Sequence, residues 1–152
     1  MLPISEVMRH EIASVSPDAP VRRVVEVMVE TGVEEVLVVD GRGRVVGSVG
    51  DDQLVASLHA SRSRSWWGRL GADGGGGAEQ RLSSLAAADV MLRRVFPVDP
   101  ATPATSAVGL FDEYGVNVMP VVDHGVLVGV VFRGDLIKRL LLPYAFGHPA
   151  RT

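Results

Sequence analysis

Laid against itself with an offset of 83 residues, the sequence repeats. Val7-Met8 falls on Val90-Met91, Val15 and Pro17 on Val98 and Pro100, Gly32-Val33 on Gly115-Val116, and Val38-Val39-Asp40 on Val121-Val122-Asp123. Between positions 7–40 and 90–123, 12 of 34 residues are identical, against roughly one in fifteen expected from average residue usage. After one residue is lost from a turn the offset becomes 82, which lays Val46-Gly47 on Val128-Gly129 and Leu54 on Leu136. A unit that recurs in this way is a supersecondary block used twice. A chain of 152 residues has room for two such blocks and little else.

Local rules read each block the same way. In the first, Asp18-Ala19-Pro20 supplies a helix cap and a proline near the first turn. Val21, Val24, Val25 and Met28 then recur at helical spacing until Gly32 stops the helix. In the second, Ala104, Ala107, Val108 and Phe111 repeat the stripe and Gly115 the stop. Val36 to Val39, the turn Asp40-Gly41-Arg42-Gly43 and Val45 to Val49 predict a strand, a hairpin and a strand. The second copy shortens the turn to Asp123-His124-Gly125. A second helix follows, from Asp51 or Asp52 through Leu58 and from Gly134 or Asp135 through Leu140. With the short apolar segments around Val15 and Val98 in front, each block reads strand, helix, strand, strand, helix.

The fold class expected is α+β, sandwich-like: two βαββα repeats related by pseudo-twofold symmetry, with their sheets packed together. A block of this size buries too little surface to be comfortable alone, so the two are expected to share one core. A cleft between them is the expected place for a small ligand. The organisation is repeat 1 over 1–58, an insert over 59–83, repeat 2 over 84–142 and a tail over 143–152, the repeats forming one module.

Composition narrows the function. Hydrophobic residues at 47% and charged residues at 22% are ordinary globular usage. A net charge of −3 gives no electrostatic case for DNA as the main partner. With no cysteine, disulfide frameworks, thiolate metal sites and cysteine nucleophiles are excluded, and the cytoplasm is the default compartment. No apolar run is long enough to span a membrane. Fourteen of the 15 basic residues are arginine, Lys138 being the exception, a bias of a GC-rich, bacterial kind of genome.

Enzyme chemistry finds no foothold. His10, His59, His124 and His148 are scattered without ligand spacing, so no metal site is expected. The glycines Gly74 to Gly77 lack the Lys-Ser/Thr of a phosphate loop, and no GxSxG nucleophile elbow occurs. The paired acids Glu34-Glu35 and Asp51-Asp52 are expected to diverge and be solvated.

The blocks resemble a known family. Ala13-Ser14-Val15-Ser16-Pro17-Asp18-Ala19, Gly32-Val33, Val38-Val39-Asp40 and Val46-Gly47-Ser48-Val49 in the first are similar to the cystathionine-β-synthase (CBS) domain. So are Val98-Asp99-Pro100, Gly115 to Asp123 and Gly129 to Leu136 in the second. The chain as a whole resembles a tandem pair of such domains, or Bateman module, over about three-quarters of its length.

That resemblance implies a non-catalytic regulatory or energy-sensing module. It would bind an adenosine-containing ligand (AMP, ADP, ATP or S-adenosylmethionine), need no cofactor, form a homodimer through its helices and signal to an unidentified partner protein. The family's ligand elements are a hydroxyl residue on the first strand, apolar backbone flanking adenine, and a Ser/Thr-x-x-Asp segment for phosphate and ribose. Asp135 matches the ribose aspartate, but Phe132 stands at the Ser/Thr position and Pro97 at the first-strand hydroxyl. In the first repeat Ser14 matches the hydroxyl, while Gly50 and Gln53 take the other two positions and Asp51-Asp52 would repel phosphate. The second repeat is therefore the better nucleotide site. Phe96, Val98, Asn117, Val118, Met119 and Pro120 are expected around adenine, Arg133 on phosphate and Asp135 on ribose or, alternatively, as a helix cap. The competing reading is an interaction scaffold whose ligand sites have decayed.

The insert carries both tryptophans, Trp66 and Trp67, beside Arg62, Arg64 and Arg69. They are expected either to fold back onto apolar surface of the module or to dock on a partner. The apolar run Leu140 to Gly147 is expected to extend the last helix and to be cut off by Pro143 and Gly147.

Overall fold

The computed structural model describes residues 1–60, 80 and 82–147. The chain divides into two compact units, one formed by Ala13–Arg94 and one by Met1–Ile12 together with Val95–Thr152.

In the Ala13–Arg94 unit the order is β1 (Ser14–Val15), α1 (Val21–Thr31), β2 (Glu35–Val39), β3 (Val45–Gly50), α2 (Asp51–Ala60) and a short α3 (Ala87–Val90). Helix α1 forms where the sequence places it. Val21, Val24 and Val27 are buried, Val25 and Met28 half-buried, and Gly32 ends the helix at φ +74°, its N–H on the Met28 carbonyl. The start differs from expectation. The N-cap is Pro20, which has no side-chain acceptor, and the Asp18 carboxylate instead accepts the Ser16 hydroxyl at 2.6 Å. β1 pairs parallel with β2, Ser14 opposite Leu37, and β2 antiparallel with β3, with Glu35 opposite Gly50. Val36, Leu37 and Val38 are all buried, so both faces of β2 are covered. Val15, Val24, Val27, Val36, Val38, Val49 and Ala87 form the core.

The other unit repeats the plan. Val98 makes a parallel bridge to Val121 in the place of β1, followed by α4 (Ala104–Tyr114), β4 (Val118–Asp123), β5 (Val126–Phe132) and α5 (Arg133–Ala145). Gly115 ends α4 at φ +64°. His124 at φ +50° and Gly125 at φ +80° make the two-residue type I′ turn that matches the twist of a hairpin. Helix α5 runs through Pro143, which removes one ladder bond in the last turn without ending the helix, and Gly147 follows at φ +69°.

The leading segments are exchanged. Met1–Ile12, expected as the start of the first repeat, belong to the second-repeat unit, where Ile4 is fully buried and the Arg9 N–H and carbonyl bond the Val130 carbonyl and N–H at 2.8 and 3.0 Å. The residues up to Arg94, expected as the start of the second repeat, lie in the first-repeat unit, where Leu92 makes the same two bonds to Ser48 at 2.8 and 3.0 Å. Both dockings are close enough to require glycine. A Cβ on Gly129 would lie 2.7 Å from Met8 Sδ and 2.9 Å from the Arg9 carbonyl oxygen; one on Gly47 would lie 2.6 Å from Met91 Sδ and 2.7 Å from the Leu92 carbonyl oxygen. The repeated Val-Met and Val-Gly pairs of the sequence are therefore the two sides of one contact, made twice.

Candidate functional site

Strand β5 ends at Phe132, which occupies the N-cap of α5 without a side-chain cap, so Arg133, Gly134 and Asp135 form the first helical turn. Asp135 is therefore not the cap residue. An acid in a first turn is favoured by the helix dipole, and this one points to a specific partner. Arg9 Nε donates to Asp135 Oδ2 at 2.7 Å and Arg9 Nη2 to Oδ1 at 3.1 Å, a two-pronged pair with the side chains 45% and 26% exposed. The same guanidinium lies 4.8 Å from the centre of the Phe132 ring, within cation–π range. Phe132, at the position where the resemblance puts a hydroxyl, thus serves as the platform for a cation.

Arg9 reaches this point because its backbone is laddered to Val130, close to the end of β5. Sequence reasoning nominated Arg133 as the cation of this site. Residues two apart on a helix do not share a face, and Arg133 lines a separate cavity of about 290 Å³ between α4 and α5, with Val108, Phe111, Asp112, Leu136 and Ile137.

The residues expected around adenine are distributed unevenly. Asn117 is exposed and its carbonyl accepts the Arg133 N–H at 2.9 Å. Val118, Met119 and Pro120 are buried strand residues, Val118 paired with Phe132. The Val98 N–H and carbonyl are both used, on Pro120 and Val122. Phe96 stacks on Tyr114, ring centres 3.9 Å apart and planes within 7°, so one face of Phe96 is already occupied. Ser14 is exposed on β1 of the other unit.

These are the elements of a known family. A family model described as CBS domain matches residues 4–60 and 87–142. The chain belongs to the CBS-domain family. It holds two such domains in tandem, a regulatory module.

Solved structures agree on the fold. A CBS-domain-containing protein from Agrobacterium tumefaciens is 17% identical with a TM-score of 0.69, covering 90% of this chain and 91% of that one. The CBS domain of a CBS-domain-containing membrane protein from Sphaerobacter thermophilus is 25% identical at a TM-score of 0.70, covering 90% and 86%. CBSX2, solved in complex with AMP, is 24% identical at a TM-score of 0.67, covering 93% and 98%. No curated protein matches the chain.

In the first CBS domain the equivalent positions do different work. Gln53, which stands where Asp135 does, accepts the Gly50 N–H at 2.8 Å through its side-chain oxygen. Leu92 stands where Arg9 does. Glu35, expected to be solvated, is buried at the head of β2 beneath Gly50, while Glu34, Asp51 and Asp52 are exposed. Burial, reinforced by the charges of Asp51 and Asp52, pushes the Glu35 carboxyl up to about 7. The exposed carboxylates of Asp51 and Asp52 beside it would repel a phosphate at this end of the first domain.

Sequence reasoning missed Arg9, Tyr114 and Glu35. For Glu35 a signal existed, since the repeat lays it on Val118, an apolar strand position. For Arg9 none did, because its partner is 126 residues away. Among the described residues no group of His, Asp and Glu is placed to hold a metal ion, and no helix is long and apolar enough to cross a membrane. His124 Nδ1 lies 2.7 Å from Asp123 Oδ1 in the hairpin turn. Trp66, Trp67, Arg62, Arg64, Arg69, Gly74 to Gly77 and His148 lie outside the described residues, as does the His59 side chain.

Proposed function

We propose that this CBS pair is a non-catalytic cytoplasmic sensor that binds an adenosine-containing ligand at the second domain and passes its occupancy to a partner protein. AMP, ADP, ATP and S-adenosylmethionine are the candidate ligands. One observation carries the reading: Asp135 is a part-exposed carboxylate on a first helical turn, not spent on capping, with both oxygens presented to a pair of parallel donors. Two vicinal ribose hydroxyls offer the same donor pattern. The exposed Asn117 edge beside Phe132 and the half-buried Phe96 supply amide and apolar surface for a base. That CBSX2 is a complex with AMP supports the ligand class.

The module is proposed to act as a homodimer. Ile137, which lines the cavity between α4 and α5, and Leu141 and Leu142 further along α5 are 37%, 56% and 53% exposed, and apolar helix surface of this kind is commonly covered by a second copy.

The test is titration of the full chain with each of the four ligands by calorimetry and thermal shift. A ligand at about 100 times its Kd stabilises the folded chain by about 2.7 kcal/mol, and Asp135→Ala should abolish that shift. If all four leave the melting temperature unmoved, the adenosine reading falls. The second reading, a dimeric interaction scaffold with decayed sites, then stands; it is favoured by Phe132 and Arg9 occupying the position of the family's phosphate-binding hydroxyl.

A further inference from the structure

The Arg9–Asp135 pair occurs in only one of two otherwise matched positions. In the second-repeat unit the leading segment carries Arg9 and the helix carries Asp135; in the first-repeat unit the equivalents are Leu92 and Gln53. Both charges are present together or absent together. The backbone docking is the same in each case, two hydrogen bonds between the leading segment and the middle of a hairpin strand, over a glycine without room for a Cβ. The fold therefore does not need the arginine to hold the leader in place, since leucine does so in the other copy.

What Arg9 does is occupy Asp135. Its Nε and Nη2 fill one acceptor direction on each carboxylate oxygen, at 2.7 and 3.1 Å. A diol approaching the same edge meets these donors first. The main chain of Arg9 is pinned to Val130 and its side chain is 45% exposed, so the guanidinium can leave Asp135 by a change of side-chain torsion alone, without undocking the leader. After leaving, it is a cation on a short tether beside the site that has given up its Asp135 partner. A phosphate on the incoming ligand restores a two-pronged, charge-assisted partner to it, and a bare nucleoside does not.

We infer that Arg9 is a specificity-determining residue of the Asp135 site: it competes with ribose for the carboxylate and then takes the phosphate, so that the site selects phosphorylated over unphosphorylated nucleosides. This rests on the adenosine reading above and adds to it the residue that sets ligand class. Arg133 lines the cavity between α4 and α5 instead.

The experiment is calorimetric titration of adenosine and of AMP into the full-length wild type, Arg9→Leu and Arg9→Lys. Leucine copies the residue already used in the other domain. Removing an exposed ion pair that competes with the ligand should tighten adenosine binding by up to about fivefold. Losing the charge-assisted phosphate contact should weaken AMP by about tenfold. The AMP-to-adenosine preference of the wild type therefore collapses in Arg9→Leu. Arg9→Lys, which keeps the charge and loses the fork, should retain part of it and serves in place of Arg9→Leu if that variant does not fold. An unchanged preference in the variants overturns this inference while leaving the adenosine reading intact. Absence of binding by either ligand to every chain overturns this inference, and the four-ligand titration above then decides the adenosine reading.

Discussion

Arg9 and Asp135 are 126 residues apart in sequence and joined by two hydrogen bonds. The pair ties the leading segment of the chain to the first turn of α5, at the residue proposed above to hold ribose. It follows from the exchange of leaders, which places Arg9 on β5 and leaves the first-repeat unit to receive Leu92.

An exposed pair of this geometry should contribute modestly to stability. A double-mutant cycle with Arg9→Leu and Asp135→Asn, followed by urea denaturation, is expected to give a coupling of about 0.5–1 kcal/mol. The coupling should shrink in about 1 M NaCl, where charges are screened beyond about 3 Å. A coupling indistinguishable from zero at low salt would show that the two side chains do not hold each other in solution.

Three glycines separate close approach from mere absence of a side chain. Gly129→Ala and Gly47→Ala place a Cβ under 3.0 Å from backbone oxygen of the docked leader, and backbone cannot turn aside as a side chain can. Each should lower stability by about 1–3 kcal/mol, the usual cost of overpacking. Gly109→Ala on α4 meets nothing within 4 Å and should raise stability by about 0.5–1 kcal/mol, since alanine is the better helix former. Thermal melts of the three variants check the ordering; equal destabilisation by all three would refute the close docking.

The features legible in the sequence were those written locally and written twice. Gly32 and Gly115 stop their helices because a left-handed residue is needed there, and a short-range pattern suffices to see it. The strand runs at Val36 and Val118 and the two turns were equally visible. The exchange of leaders was not, because nothing in Val7-Met8 or Val90-Met91 states which hairpin each will dock against. Their repeat only becomes informative once Gly129 and Gly47 are seen beneath them. Asp18 illustrates a different failure: aspartate before a helix reads as a cap, yet here a serine two residues earlier captured the carboxylate. Of the two roles open to Asp135, the cap is excluded by Phe132 at the N-cap, and its Arg9 partner could not be read locally because tertiary structure delivers it.

Asp40 organises the longer hairpin turn. Its Oδ1 accepts the N–H groups of Arg42 and Arg44, both at 2.9 Å, and its Oδ2 the Arg44 Nε at 3.2 Å. The backbone bond from Arg44, with the others, holds the Asp40 carboxyl below its ordinary value. A depressed folded-state value means that the stabilisation is present above the unfolded value near 4 and is lost as pH falls through the folded one. Asp40→Ala should therefore lower the urea midpoint at pH 7, and the difference from wild type should fade in strong acid. A midpoint difference that persists unchanged at pH 2 would rule out the ionised carboxylate as its source.

Glu35 predicts the opposite dependence. Its carboxyl is buried beneath Gly50 and pushed up to about 7, first by burial and then by Asp51 and Asp52. When the folded value lies above the unfolded one, the folded chain binds the extra proton over the window between about 4.5 and 7, and stability falls as pH rises through that window. Ionised Glu35 should cost on the order of 2–3 kcal/mol at pH 8. Glu35→Gln removes the ionisation while keeping the shape, so the variant should be more stable than wild type at pH 8 and nearly equal to it at pH 5. Gly50→Ala sets a Cβ 2.8 Å from Glu35 Oε1 and should be tolerated only where that side chain can move aside. The deciding measurement is the melting temperature of wild type and Glu35→Gln from pH 5 to 8. Curves that run parallel across that range would mean that Glu35 titrates as an ordinary solvated acid, and the acidic end of the first CBS domain would then lose its buried member.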